Sequence, residues 1–238
     1  MAQQATANGL DVRGYENPCQ WSEPEHARAL AAQLVNTYGR DHQEIVRNPH
    51  RSETWAWALV NSPHLIARVS ALLGPDAAVE NTFLVIKWPG KPFEVPAHQD
   101  GINEHIELDP ARAVSCWAAL TDATARAGCL EILPGSHLGG YLPFDAEPAA
   151  GAARGRALTV YGDHITDRHA LAAVELAAGQ ALIFDTRLIH RSASNTTDAP
   201  RIGLNIRYAT ADAFRRGDPT ERPGWAPLNL PPTAGAPR

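Results

Sequence analysis

A series of short apolar runs between residues 78 and 209 limits the folds open to this chain. Each run is rich in β-branched, aliphatic or aromatic residues, and Gly or Pro residues separate many of the runs. The runs are AVENTFLVIKW (78–88), AVSCWAAL (113–120), CLEIL (129–133), ALTV (157–160), AAVEL (172–176), ALIFD (181–185) and RIGLNIRYA (201–209). Short strands divided by turn residues are typical of a β-sandwich or barrel.

The first third of the chain has the spacing of helices instead. Apolar residues recur every three or four positions over 27–38, and Ser22 with Glu25 forms a potential capping box before them. A second helix is predicted to start at Pro63 and to end at Gly74. Two helices followed by about eight strands predict a jelly roll that is supported by helices.

The chain of 238 residues is therefore predicted to form one domain, mainly β with flanking helices. Residues 1–75 provide mainly helical support, and residues 76–209 form a double-stranded β-helix core of the jelly-roll, cupin-like type. Residues 210–238 form a Pro-rich tail. Six prolines in the 24 residues from Arg215 onward exclude regular structure there and predict an extended or disordered segment.

Composition and charge exclude several kinds of partner. A net charge of −5 provides no basic field for nucleic acid. No apolar run approaches the ~18 residues of a membrane span, and the chain does not open with the pattern of a signal peptide. Three widely spaced cysteines indicate a reduced, cytoplasmic protein. A monomer and a homodimer are both compatible with the sequence.

Histidine followed two residues later by a carboxylate could supply two ligands to a metal ion. This pattern starts at His42, at His98 and at His105. Side chains at positions i and i+2 converge on one ion in an extended strand and diverge in a helix. Because His98 and Asp100 follow a strand-like segment, this pair has the best geometry of the three.

The third ligand is predicted to be His190, at the end of a late strand. With His98 and Asp100 it would form the two-histidine, one-carboxylate set of non-heme Fe(II) oxygenases. On these residues alone, the alternative of ordinary polar residues at strand ends stays open. Further support comes from RIGLNIRYA, in which Arg201 and Arg207 share one strand face.

A buried guanidinium needs an anionic partner. A dicarboxylate held by two hydrogen bonds would provide one for Arg201. For Arg207 we prefer a structural salt bridge.

Four segments resemble the phytanoyl-CoA dioxygenase family of Fe(II)- and 2-oxoglutarate-dependent oxygenases. They are PAHQDG (96–101), CWAALTDATARAGCLEILPGSH (116–137), AGQALIFDTRLIHRSASNTT (178–197) and PRIGLNIRYA (200–209). The resemblance implies three iron ligands: His98, Asp100 and His190. It also implies a pocket for 2-oxoglutarate whose members are Arg201, Ser192, Trp117, Gln99, Asn81 and Lys87. An exposed position at the edge of a strand fits Lys87 equally well.

The implied reaction is hydroxylation, or another oxidation, of an unactivated C–H in a small metabolite, as in specialised metabolism. The cosubstrates 2-oxoglutarate and O2 would yield succinate and CO2. Halogenases of the family lack the metal carboxylate, so Asp100 favours hydroxylation over halogenation. Two other classes stay open: a cupin metalloenzyme without cosubstrate, and a non-catalytic sensor of metal or 2-oxoglutarate. The implied dicarboxylate pocket around Arg201 argues against a cupin metalloenzyme without cosubstrate. The intact set of three metal ligands argues against a non-catalytic sensor.

Substrate contacts are expected from loops at the mouth of the barrel. The candidates are Asn103, His105, Tyr141 and Tyr161. For each of them, an exposed loop residue is the simpler interpretation. Because these loops carry few large apolar side chains, we favour a small polar metabolite over a long acyl chain.

Overall fold

The computed structural model describes residue 10 and residues 12–39, 44–146 and 171–228. The predicted strand at 157–160 lies outside the described residues, as do His42 and Tyr161. The same holds for the last ten residues of the tail.

The described residues form three α-helices and thirteen β-strands. The helices are α1 (Pro24–Tyr38), α2 (Thr54–Val60) and α3 (Pro63–Leu73). The first strands are β1 (Cys19–Gln20), β2 (Ile45–Arg47), β3 (Ala78–Lys87), β4 (Val95–His98), β5 (Glu107–Leu108), β6 (Ala113–Ala119) and β7 (Leu130–Ile132). They are followed by β8 (Ala172–Val174), β9 (Gln180–Asp185), β10 (His190–Ser192), β11 (Arg201–Ala209), β12 (Phe214–Arg216) and β13 (Ala226–Pro227).

Two antiparallel sheets form the core of the fold. The strands of the larger sheet follow the order β1-β9-β6-β11-β3-β13, with β2 also paired to β3. The smaller sheet has the order β4-β10-β7-β8. One apolar cluster joins the sheets: it contains Trp117 and Phe184 from the larger sheet and Leu130 and Ile132 from the smaller one. The predicted class, mainly β with a jelly-roll core, is confirmed.

The helices cover the outer face of the larger sheet. In β11, Ile202, Leu204 and Ile206 belong to the same buried cluster as Leu34 of α1 and Leu65 of α3. Because side chains alternate along a strand, the polar residues of β11 face the opposite way, towards the smaller sheet. This alternation places charged side chains between the two sheets, as the sequence predicts.

The start of α1 differs from the prediction. The helix begins at Pro24, and its N-cap residue, Glu23, makes no side-chain capping bond. The predicted capping box of Ser22 and Glu25 is therefore wrong. Proline at the first helical position supplies the start, because its fixed φ suits a helix and it lacks an N–H that would need a partner.

The tail also differs from the prediction as far as Leu228. β12 pairs with β5, and β13 pairs with β3 at the end of the larger sheet. Pro227 is tolerated in β13 because an edge strand needs no N–H on its outer side. The expectation of no regular structure is thus wrong for this part of the tail. None of the helices in the described residues is long and apolar enough to cross a membrane.

Candidate functional site

Strand pairing brings the two predicted histidine ligands together. β4 and β10 are antiparallel neighbours, and His98 lies directly opposite His190. The centroids of the two imidazole rings are 4.1 Å apart. Because directly opposed side chains of paired strands lie close together, this register alone puts both rings at one point.

Asp100 reaches the same point from a turn. β4 ends at His98, so Asp100 lies in the turn that follows the strand and not on the strand itself. The backbone N–H groups of Asp100 and Gly101 donate to the Thr186 carbonyl, at 3.0 and 3.1 Å. These bonds turn the Asp100 carboxylate towards the histidines.

The three side chains form a compact ligand set. Asp100 Oδ1 lies 3.7 Å from His98 Nε2, and Asp100 Oδ2 lies 3.8 Å from His190 Nε2. One potential ligand atom from each residue lies within 4.8 Å of the others. Two imidazoles and one carboxylate at this spacing could hold Fe(II) and leave coordination positions open.

Backbone carbonyls orient both imidazoles. Nδ1 of His98 lies 2.8 Å from the Pro96 carbonyl, and Nδ1 of His190 lies 2.9 Å from the Leu188 carbonyl. Since a carbonyl only accepts, each Nδ1 carries the proton and each Nε2 presents a lone pair. Burial, together with the neighbouring His98, lowers the pKa of His190 to about 4. Both effects favour the neutral ring that a metal ion requires.

Several groups hold the Asp100 side chain in its ionised form. The Ser115 hydroxyl donates to Oδ2 at 2.7 Å, and Asn205 Nδ2 lies 3.3 Å from the same oxygen. Burial alone would raise the pKa of Asp100, but its interactions with His190 and His98 and the charge of Arg207 outweigh burial and lower it well below its usual range. The carboxylate is thus poised to bind a cation.

Arg207 has the structural role that the sequence favours. Its Nε donates to Glu80 Oε2 at 2.8 Å and lies 3.1 Å from Asn81 Oδ1. A second nitrogen of the guanidinium donates to the backbone carbonyl of Asp100. Glu80 also accepts from Arg222 at 3.1 Å. Asn81 therefore supports this ion pair.

Arg201 lies on the same strand face as Arg207, but its surroundings are different. It is 2% exposed, and one terminal nitrogen donates to the Gly128 carbonyl at 2.5 Å. Within the described residues, Nε and the other terminal nitrogen have no hydrogen-bond partner. Burial lowers the pKa of Arg201 to about 9. A buried cation with two open donors is suited to bind a carboxylate.

Two other predicted cosubstrate residues, Trp117 and Ser192, line the same cleft as Arg201. The guanidinium carbon of Arg201 lies 5.1 Å from the centre of the Trp117 ring system, a cation–π distance. Gly203 makes room for the indole, because a Cβ at this position would clash with it. Ser192, at the end of β10, is 4% exposed and lines the same cleft.

One cleft contains both the ligand set and the Arg201 pocket. It encloses about 820 Å³, counting the part that opens to solvent. The donor set suits iron, and the open donors of Arg201 suit the distal carboxylate of 2-oxoglutarate. The residues therefore fit both cofactors.

Two other predicted cosubstrate residues have partners within the protein. Lys87 is fully buried and does not line the cleft. The alternative of an exposed edge lysine is wrong, because β11 and the residues after β10 cover Lys87. Gln99 lines the cleft, but its amide donates to the carbonyls of Gly140 and Arg187 and accepts from the N–H of Leu142.

The described substrate candidates lie outside the lining of the cleft. Asn103 Oδ1 accepts from the N–H groups of His105 and Ile106, which closes a turn. The His105 side chain is exposed. The Tyr141 hydroxyl lies 2.8 Å from Thr186 Oγ1, so it packs behind the turn that carries Asp100.

Four residues of β2 and β3 that line the cleft were not predicted from the sequence: Ile45, Arg47, Phe83 and Val85. Ile45 and Arg47 lie on β2, a three-residue strand opposite Val85 and Phe83 of β3. The Arg47 guanidinium carbon lies 5.1 Å from the centre of the Phe83 ring. Phe83 could have been found from its alternation with Lys87 along β3, whereas a three-residue strand leaves almost no periodic signal.

Comparisons with known proteins identify the family of this chain. A sequence model of the family Phytanoyl-CoA dioxygenase (PhyH) matches residues 21–203. The chain is 27% identical over 156 residues to human peroxisomal phytanoyl-CoA dioxygenase, which covers 63% of this chain and 44% of that protein. It is 29% identical over 225 residues to ectoine dioxygenase of Streptomyces avermitilis, which covers 88% and 72%. The chain spans about half the length of the first phytanoyl-CoA dioxygenases that it matches.

A solved structure has the same fold. The apo form of ThoJ, a non-heme monooxygenase, aligns with a TM-score of 0.69 and 28% identity, covering 84% of this chain and 75% of that one. The family match includes all three potential iron ligands and Arg201. The protein therefore belongs to the phytanoyl-CoA dioxygenase family, and its cofactors are those of that family, Fe(II) and 2-oxoglutarate.

Proposed function

We propose that the protein oxidises an unactivated C–H of a small-molecule metabolite, with hydroxylation as the outcome. The observation that carries this proposal is the pairing of two features in one cleft. Three potential iron ligands converge within 4.8 Å, and Arg201 presents two unpartnered donors within the described structure. A cupin metalloenzyme without cosubstrate does not need the open hydrogen-bond donors of Arg201.

His98, Asp100 and His190 would hold the metal, and Arg201 with Ser192 would hold the distal carboxylate of 2-oxoglutarate. Iron(II) with 2-oxoglutarate and O2 supplies the oxidising power for the C–H bond and releases succinate and CO2. The Trp117 ring lies against the guanidinium of Arg201 and would help to keep water out of the pocket. These residues bind and orient the cosubstrate, while the metal provides the chemistry.

Asp100 supports hydroxylation over halogenation. A halogenase of this family needs a free coordination position where the carboxylate stands. Here Ser115, Asn205 and the histidines all direct the Asp100 carboxylate to that position.

The lining of the cleft bears on the substrate. Phe83, Ile45, Val85 and Val95 provide apolar contacts around the potential metal site, and Arg47 adds a cation. This combination supports a small substrate with an apolar body and a polar or anionic group. Relatives are named for substrates as different as phytanoyl-CoA and ectoine, so no relative's substrate transfers directly. A role in specialised metabolism remains part of the proposal.

The reaction is tested by adding Fe(II), 2-oxoglutarate and O2 together with a panel of small metabolites. We expect succinate formation to rise with one member, whose product gains one oxygen atom by mass spectrometry. Asp100→Ala should abolish both signals, while Asp109→Ala, an exchange of a partly exposed aspartate outside the cleft, should leave them unchanged. Succinate formation that is the same in Asp100→Ala as in the wild type would refute the proposal.

A further inference from the structure

Lys87 is a buried cation that the proposed reaction does not use directly. It is one of two lysines in the chain, lies at the end of β3 and is opposite Arg201 in the strand register. Its side chain has no exposed surface. Burying an ammonium group is costly unless its N–H groups are satisfied, so the contacts of Lys87 indicate what it does.

All three N–H groups of the ammonium are taken by backbone carbonyls. Lys87 Nζ donates to Phe93 at 3.2 Å, to Ser192 at 2.9 Å and to Ala193 at 2.5 Å. An ammonium has three donors and no acceptor. Lys87 therefore has no donor left for a ligand in the cleft, and instead joins the start of β4 to the end of β10.

The segment that follows β10 is fixed from two further sides. Asn195 donates to the backbone carbonyl of Lys87 at 2.9 Å. Gly128 packs so closely on Ala193 that a Cβ would clash with the Ala193 carbonyl. The carbonyl of Gly128 in turn accepts from Arg201. Lys87, residues 192–193, Gly128 and Arg201 thus form one connected unit, which we call the carboxylate clamp.

We propose that Lys87 is a positioning residue of the carboxylate clamp. It holds the backbone of Ser192 and Ala193 so that the Ser192 hydroxyl and the Arg201 guanidinium meet the same distal carboxylate of 2-oxoglutarate. This inference rests on the proposed function and adds a residue, Lys87, that contributes to the affinity for 2-oxoglutarate.

Electrostatics are consistent with this role. Burial, and then the charge of Arg201, lower the pKa of Lys87 to about 6, whereas three carbonyl acceptors favour the charged form. A carboxylate bound to Arg201 would offset the Arg201 charge and so relieve its repulsion of Lys87. The cost of keeping a buried lysine is then offset in the cosubstrate complex.

The test is a titration of the anaerobic Fe(II) protein with 2-oxoglutarate, followed by the weak visible charge-transfer band of the chelated keto acid. In Lys87→Met we expect the Kd for 2-oxoglutarate to rise at least about tenfold, with the bound iron unchanged. Lys91→Met removes the other lysine, four residues further on, and should leave the Kd within about twofold of wild type. If Lys87→Met does not fold, Lys87→Gln is the substitute, because it keeps N–H donors without the charge. We expect its Kd for 2-oxoglutarate to lie above that of the wild type by less than about tenfold.

A double-mutant cycle separates positioning from a merely structural role. If Lys87 acts through Ser192, adding Ser192→Ala to Lys87→Met should cost less than the two single changes multiplied together. An unchanged Kd in a folded Lys87→Met, or fully multiplicative effects, would overturn the inference. If the wild-type protein shows no band at all, the proposed function fails, which is a different result from failure of Lys87 alone.

Discussion

Replacing Arg201 by methionine should stabilise the protein in the absence of cosubstrate. In the described structure two of its guanidinium nitrogens are buried without a partner, and each such group costs about 1–3 kcal/mol. The substitution leaves one carbonyl, that of Gly128, without its partner, which costs a similar amount once. The net gain in the free energy of unfolding is therefore about 1–3 kcal/mol.

Arg207→Met is the matched control, because Arg207 lies on the same strand face and is equally buried. Its guanidinium bonds to Glu80, Asn81 and the Asp100 carbonyl. Its removal leaves the fully buried Glu80 with one cation instead of two. Breaking a buried pair in this way costs about 3–5 kcal/mol, so the two substitutions should shift stability in opposite directions.

The assay is urea unfolding of both variants without metal or cosubstrate, with linear extrapolation to water. Thermal unfolding should move in the same directions, by about 2–4 °C for each kcal/mol. Saturating Fe(II) and 2-oxoglutarate should reverse the order of wild type and Arg201→Met, because only the wild type binds tightly. If Arg201→Met is destabilised as strongly as Arg207→Met, the guanidinium is already satisfied and the reasoning about an anion site is refuted.

Three further predictions concern other parts of the molecule. Burial lowers the pKa of His50 to about 4; because the unfolded chain takes up this proton near pH 6.5, the contribution of His50 to stability should fall by about 3 kcal/mol between pH 6.5 and 4. In urea unfolding across this range, His50→Gln should remove this contribution, whereas replacing the exposed His64 by Gln should leave the pH dependence of stability unchanged. Gly203→Val should push the indole out of the cosubstrate pocket and raise the Kd for 2-oxoglutarate, and an unchanged Kd would contradict this. Ser115→Ala should weaken Fe(II) binding about 10- to 100-fold in a chelator competition, because the hydroxyl orients the Asp100 carboxylate.

Regular strands with strong alternation were predictable from the sequence. β11 has the predicted bounds, because Arg201 and Arg207 alternate with Ile202 and Leu204 in a pattern that only one strand orientation satisfies. β3 was predictable from its many β-branched and aromatic residues. β11 has one polar and one apolar face, and the polar face was expected to line the site.

Features that depend on distant contacts were not predictable. Asp100 is turned towards the histidines by the Thr186 carbonyl, which lies far along the chain, and not by the pleat of a strand. The burial of Lys87 depends on carbonyls of the segment after β10. α2 has only seven residues, too few for a clear helical period.

The most direct test of the central claim is the visible spectrum of the Fe(II) protein on anaerobic addition of 2-oxoglutarate. We predict a weak charge-transfer band that is absent in His98→Ala and that needs at least about tenfold more 2-oxoglutarate in Arg201→Met, as expected for loss of a charge-assisted bond. Iron binding without such a band, or a band that Arg201→Met leaves unchanged, would contradict the assignment of this cleft to iron and 2-oxoglutarate.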